Sequence, residues 1–216
     1  SDRVAGVIAS EYVRAVSLTG SEEAGRAVAA QAGLHIKKCV LELGGSNAFV
    51  VLNDANQELA LNLALPARLQ NCGQSCIAAK RFLLESWIAE DFVPGLIKRI
   101  SVLRLGDPMD KSTDIGPLSS VDQAKAVEDQ VRRSVEMGAR LLTGGHRDGA
   151  FLEPAVVSNV KPGMPLFDEE VFGPVFAITL VESPEEALEL SNRSSFGLGM
   201  QLFTQDETLI QSFIEG

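Results

Sequence analysis

The stretch Lys38-Cys39-Val40-Leu41-Glu42-Leu43-Gly44-Gly45-Ser46-Asn47-Ala48-Phe49-Val50-Val51-Leu52 holds two β-rich runs, Lys38 to Leu43 and Ala48 to Leu52, parted by a double glycine. Adjacent glycines mark a sharp turn or a hinge. This joint is the best boundary in the chain, and residues 1–43 ahead of it are too few for a typical domain. They read as part of a domain that needs a partner segment, whereas 44–216 has the length of a domain.

Outward from the joint, strands and helices alternate. Ala15 to Leu18 reads as a short strand and Glu22 to Leu34 as an Ala-rich helix, with Ser21 as N-cap and Glu22 and Glu23 in the first turn, where acids suit the helix dipole. Asp54 to Gln70 is a helix candidate with Leu59, Leu63 and Ala67 on one face, which Pro66 should kink or end. Arg81 to Leu84 is a strand. Trp87 to Val102 carries Ile88, Phe92, Leu96 and Ile100 at helical spacing, and Val121 to Met137 is a second amphipathic helix closed by Gly138. Arg140 to Thr143, Val156-Val157, Phe176 to Val181 and Met200 to Phe203 are strands, Glu185 to Asn192 is a helix, and Thr204 is placed to cap a last helix over Leu209 to Ile214. The pattern is α/β throughout, with no internal repeat. Both ends of the sequence read as cut.

The 216 residues are 45% hydrophobic and 22% charged, with ordinary usage of Gly (19) and Pro (9), which excludes a disordered or collagen-like chain. A net charge of -10 disfavours nucleic acid, which calls for a basic face. No apolar run approaches the roughly 20 residues of a membrane span, and no signal-peptide pattern opens the chain. Three cysteines do not make a disulfide framework. A cytoplasmic enzyme is the expectation.

Cys76, in Asn71-Cys72-Gly73-Gln74-Ser75-Cys76-Ile77, is the first candidate nucleophile. Thiolates are the reactive form, and a turn or helix start favours them. The alternative is a buried structural thiol. Cys72 and Cys76 also have a metal-pair spacing, but Cys39, His35 and His146 supply no compact second pair, so no metal is expected. Glu42, between Leu41 and Leu43, is the candidate base: an acid partly desolvated by apolar neighbours suits general-base work. It reads equally as the outward residue of an alternating strand. In Asp168-Glu169-Glu170-Val171-Phe172-Gly173-Pro174, Glu170 offers a carboxylate for paired ribose hydroxyls and Phe172 a flat apolar face; the alternative is a solvated acidic loop. Gly20 and Ser21, ahead of a helix, form a candidate phosphate cradle without the three-glycine dinucleotide fingerprint. No Walker loop and no Ser–His pairing is present.

In this order the pieces resemble the aldehyde dehydrogenase superfamily. The matching stretches are Leu18-Thr19-Gly20-Ser21, Leu41-Glu42-Leu43-Gly44-Gly45, Asn71-x-Gly73-Gln74-x-Cys76, Gly106-Asp107-Pro108, Ile115-Gly116-Pro117, Glu170-Val171-Phe172-Gly173-Pro174 and Asn192-x3-Phe196-Gly197-Leu198. The step from Glu42 to Cys76 also matches the family. The resemblance implies an aldehyde dehydrogenase-like catalytic domain (44–216) preceded by the tail of a Rossmann-like cofactor domain (1–43). It implies Cys76 as the thiolate that attacks the aldehyde and Glu42 as the base that activates water against the thioester. It further implies Gly20 and Ser21 at the pyrophosphate, Glu170 at the nicotinamide ribose and Phe172 beside the ring, with NAD or NADP as cofactor.

Family members are about twice this length. The implied whole is a homodimer or homotetramer, and the side-chain Asn of the oxyanion hole, the Lys at the adenine ribose and a C-terminal dimer strand would lie outside these residues. Lys37 to Ser46 and Gln70 to Gln74 look most like a bacterial succinate-semialdehyde dehydrogenase subgroup. Many of that subgroup carry an Arg at the position of Gln70, where it pairs with the substrate carboxylate; Arg68 is near in sequence but would point elsewhere on a helix. A non-catalytic α/β binding or assembly module of the same fold is the competing expectation. An acylating enzyme would generally lack an acid at the Glu42 position.

Overall fold

A computed structural model describes residues 2–216. It divides into two compact units, residues 1–44 and 45–216.

The first unit contains α1 (Asp2–Ala9), β1 (Ala15–Thr19), α2 (Glu22–Leu34) and β2 (Lys38–Glu42). β1 and β2 pair in parallel, with Thr19 opposite Glu42. Parallel neighbours need a crossover, and α2 supplies it. Ser21 caps α2 by accepting the Ala24 N–H at 3.2 Å. Within α2, Gly25 lets the helix lie on Leu43: a Cβ there would fall 2.6 Å from Leu43 Cδ2. Leu43 therefore turns toward the helix, and the preceding residue, Glu42, is exposed. The desolvation expected of Glu42 is absent in this unit; the strand alternation prevails.

The second unit contains β3 (Asn47–Val51), α3 (Gln57–Leu69), β4 (Ala79–Glu85), α4 (Ser86–Ile100), α5 (Val121–Glu136), β5 (Arg140–Thr143), the small hairpin β6 (Arg147–Asp148) and β7 (Phe151–Leu152), β8 (Ala155–Ser158), α6 (Pro165–Asp168), β9 (Val175–Val181), α7 (Pro184–Asn192), β10 (Met200–Phe203) and α8 (Glu207–Glu215). Six strands form one sheet in the order β10-β3-β4-β9-β8-β5, parallel except for β5. A mostly parallel sheet is covered on both faces, so its strands are apolar on both sides. On one face Phe49, Val51, Phe82, Leu84, Phe176 and Ile178 pack with α3 and α4. On the other, Ala48, Val50, Leu83, Val157 and Ala177 pack with α5, α7 and Phe213 of α8.

Three local readings change. α3 continues past Pro66 to Leu69, because the lost bond frees only the carbonyl of Asn62, an exposed residue. Its buried stripe is Ala60, Leu61, Ala64 and Arg68, while Leu59 and Leu63 face outward. Small residues win that face because α3 and α4 approach closely: a Cβ on Gly95 would lie 2.9 Å from Leu61 Cδ1. The last helix is capped by Asp206, which accepts the Thr208 and Leu209 N–H groups, while the Thr204 hydroxyl is engaged by Asp54 at 2.8 Å.

Candidate active site

Cys76 lies on the turn between α3 and β4, just after a short 3-10 segment at Gln70–Gly73. Asn71 and Cys72 both take left-handed backbone angles (φ 52° and 55°), so the chain doubles back sharply here. Gly73 (φ 78°) presses on the neighbouring loop, and a Cβ there would fall 2.5 Å from the Gly173 carbonyl oxygen. The turn is tied by Asn71 Nδ2 donating to the Gln74 carbonyl at 3.0 Å and Asn47 Nδ2 to the Ile77 carbonyl at 3.1 Å. The Cys76 side is half-buried, and its N–H has no acceptor among the described residues. That leaves one backbone donor directed from the thiol's own residue, the kind of group that stabilises an oxyanion.

Two buried cations hold this turn. Lys80 is fully enclosed; its ammonium donates to the carbonyls of Ser75 (2.7 Å) and Cys76 (3.1 Å) and lies 3.3 Å from Glu170 Oε1. It also stands 5.9 Å from the centre of the Phe172 ring. Burial pushes Lys80 down to about 8, against the opposing pull of Glu170. Arg68 is equally buried and donates to the carbonyls of Val175 (2.6 Å), Val171 (2.8 Å), Gly73 (3.4 Å) and Gly173. Burial lowers it to about 9, still charged at neutral pH. With four of its five donors on backbone carbonyls and the side chain fully buried, Arg68 is not placed to meet a substrate carboxylate; Gln70, the position that would, is exposed.

Glu170 completes the cluster. Its Oε1 accepts the Gly45 N–H at 3.0 Å as well as facing Lys80. Its Oε2 has no partner among the described residues, so one carboxylate oxygen stays free for a hydroxyl. The structure thus brings Cys76, Glu170 and Phe172 together in the second unit, with Gly45 between them. A Cβ on Gly45 would sit 2.2 Å from the Cys76 carbonyl oxygen and 2.9 Å from Leu198 Cδ1. Gly45→Ala is therefore expected to displace the Cys76 carbonyl and cost about 1–3 kcal/mol, the usual penalty of overpacking. Calorimetry would show a melting temperature lower by roughly 2–10 °C; an unchanged transition would mean that the turn yields freely.

Gly20, Ser21 and Glu42 belong to the first unit, where Gly20 N–H donates to the Glu42 carbonyl at 3.0 Å. Gly20 is exposed, and a Cβ there would make only ordinary contacts at 3.8–3.9 Å. No neighbour in this unit demands a glycine, which fits a position kept clear for an approaching ligand. The Ser21 hydroxyl is taken up by its capping bond. The N–H groups of Glu22 and Glu23 have no acceptor among the described residues, which fits an anion such as a pyrophosphate. The two carboxylates of that first turn set a limit on how much negative charge it welcomes.

The other thiols differ. Cys72 is half-buried with Sγ 3.5 Å from the Gly116 carbonyl, and burial pushes its thiol up. No group of three or more metal-ligating side chains occurs among the described residues, nor does a helix long and apolar enough to cross a membrane. Lys80 was not singled out in the sequence, and the contacts of Arg68 and Gly45 at this turn were not foreseen there. The available signal was the pair Lys80-Arg81 at the head of an otherwise apolar strand: charges on a strand buried on both faces must find partners inside.

The model of the Aldehyde dehydrogenase family matches residues 1–216, and the chain belongs to that family. It is similar to the NAD(P)+ succinate semialdehyde dehydrogenase Sad of Escherichia coli, at 47% identity over 96% of this chain and 46% of that protein. It is also similar to the NADP(+) succinate-semialdehyde dehydrogenase 1 of Mycobacterium tuberculosis, at 43% identity over 100% of this chain and 48% of that one. Among solved structures, the succinate-semialdehyde dehydrogenase from Burkholderia pseudomallei superposes with a TM-score of 0.95 at 33% identity, covering 98% of this chain and 45% of that one. The chain spans about half the length of the curated relatives it matches.

Proposed function

We propose that this chain is the thiol-bearing part of an NAD(P)-dependent aldehyde dehydrogenase that oxidises a small aldehyde, with succinate semialdehyde as the leading substrate. In this reading residues 1–43 are the end of the cofactor domain and 44–216 most of the catalytic domain. The reading extends to a soluble cytoplasmic homodimer or homotetramer about twice this length. The observation that carries it is the setting of Cys76: a half-buried thiol on a turn whose carbonyls are pinned, beside its own free N–H. The succinate-semialdehyde names of the relatives support the substrate.

Cys76 attacks the aldehyde carbon and forms a thiohemiacetal, whose oxygen the Cys76 N–H faces. NAD or NADP would supply, when bound, the two-electron acceptor this adduct needs. Glu170, through its free oxygen, and Phe172 would hold the nicotinamide end, and Gly20 with the first turn of α2 the pyrophosphate. The adduct is then a thioester on Cys76. Glu42 takes a proton from water, which attacks the thioester and releases the carboxylic acid and the thiol. The side chain is exposed in its own unit, so the reading requires other parts of the protein to close around it.

Glu42→Gln tests this division of labour in the full-length protein. Rapid mixing should show a burst of reduced cofactor of about one equivalent, followed by turnover slowed on the order of 100-fold, because hydride transfer survives and hydrolysis fails. Loss of the burst together with the steady state would remove Glu42 from the hydrolytic step.

A further inference from the structure

We propose that Lys80 is a positioning residue of the thiol site: its buried ammonium clamps the Ser75 and Cys76 carbonyls to the Glu170 carboxylate, so that the thiol turn and the ribose-facing acid are set by one charge. The inference deepens the proposed function and rests on it for its catalytic consequence alone.

An ammonium has three donors. Here three acceptors surround it at 2.7, 3.1 and 3.3 Å, from Ser75, Cys76 and Glu170. Glu170 Oε1 is in turn bonded to the Gly45 N–H at 3.0 Å, and Gly45 abuts the Cys76 carbonyl. Two distant stretches of the chain, Ser75-Cys76 and Glu170, thus converge on one nitrogen that solvent does not reach, and Gly45 joins them through Glu170. A plain hydrophobic residue would fill the same space at lower desolvation cost, but it would leave the Cys76 carbonyl without a donor, and the Ser75 carbonyl and Glu170 Oε1 with one each, from Ala78 and Gly45. The ionisable side chains that face Lys80 are those of Glu170, Arg68 and Cys76; Glu170 favours the protonated form of Lys80 and Arg68 opposes it.

The clamp has a pH signature with a definite sign. Lys80 is held down to about 8 by burial, from an ordinary 10.5. Below about 8 the ammonium is present and the clamp is closed; above it the donor count falls and the clamp loosens. Linkage runs the other way for the fold as a whole. Between about 8 and 10.5 the unfolded chain binds the proton that the folded chain has released, so the Lys80 contribution to stability rises with pH in that window. Local loosening there cannot be a symptom of global unfolding driven by this residue.

Amide hydrogen exchange on the 216-residue chain reads the clamp directly. The reporters are Gly45 N–H, bonded to Glu170, and Ala78 N–H, bonded to the Ser75 carbonyl. At pH 7, Lys80→Met should lower their protection, corrected for intrinsic rates, by about tenfold, leaving the β3, β4 and β9 amides unchanged. In the unsubstituted chain the same two amides should lose protection between pH 7 and 9, and Lys80→Arg, whose guanidinium holds its proton to higher pH than an ammonium at the same place, should move that loss upward. Should Lys80→Met unfold, the pH course of the unsubstituted chain decides. Protection of Gly45 and Ala78 that is flat with pH, or unaltered in a folded Lys80→Met, overturns the clamp.

In the full-length protein, Lys80→Met should lower kcat about tenfold or more, with at least partial recovery in Lys80→Arg. An unaltered kcat alongside a loosened turn would refute the positioning role. These outcomes are separate from the assignment of Cys76, which stands or falls with its own substitution.

Discussion

Cys76→Ala in the full-length protein is expected to abolish aldehyde oxidation under the proposed function: reduced-cofactor formation should fall by a factor on the order of 10,000 or more, because the covalent route would be removed. Bound cofactor and aldehyde gain nothing from proximity alone if no nucleophile converts the carbonyl into a hydride donor. The companion substitution sharpens the test. Cys72 lies four residues away, and burial pushes its thiol up while its sulfur contacts the Gly116 carbonyl. A thiol held protonated is a poor nucleophile, so Cys72→Ala should keep turnover within about tenfold. Steady-state assays following NAD(P)H formation check both. Retained turnover in Cys76→Ala would remove the mechanism, and a reversed ranking would transfer the role to Cys72.

Arg68→Ala is expected to be the most destabilising single change in the second unit. Arg68 is fully buried, and its guanidinium ties α3 to the Gly73 turn and to the loop from Val171 to Val175. Removing it opens a large cavity and takes a donor from four carbonyls, of which that of Gly173 keeps the Val175 N–H. Breaking a buried, hydrogen-bonded cation of this sort costs about 3–5 kcal/mol, which corresponds to a fall of roughly 6–20 °C in melting temperature for a chain of this size. Arg68→Lys should recover little of it, since one ammonium cannot reach acceptors spread over a fork. Differential scanning calorimetry at pH 7 is the measurement. A loss below about 1 kcal/mol would show that water replaces the guanidinium, and the two loops would then be independent of it.

The alternation of strands and helices was legible from residue types because the determinants are local. Val121 to Glu136 shows its apolar stripe to α5's own core face, with Ala124, Val127 and Val131 buried, and Gly138 takes the positive φ that closes it. Ser21 caps α2 as its position suggests. The α1 helix and the β6–β7 hairpin were not legible. Asp2–Ala9 is only eight residues long, little for a helical period to register, and a hairpin of two-residue strands has too few residues for a period of two. The outward turn of Leu59 and Leu63 in α3 depended on the close approach of α4 at Gly95, which no pattern within α3 encodes.

The sequence by itself determined the α/β class, the glycine joint at Gly44-Gly45, the ordered motifs and the candidate chemistry of Cys76, Glu42 and Glu170. The first three follow from residue type and spacing along the chain, and the candidate chemistry from the resemblance that the ordered motifs carry. Only the tertiary structure decided what those residues meet. Arg68 and Val171 are 103 residues apart and Gly45 and Glu170 125 apart, so the cradle of the thiol turn is made of contacts that no local window contains. The physical reason is burial. A lysine or arginine drawn on paper is a surface residue by default, and it becomes an internal clamp only where the fold surrounds it with carbonyls and a carboxylate.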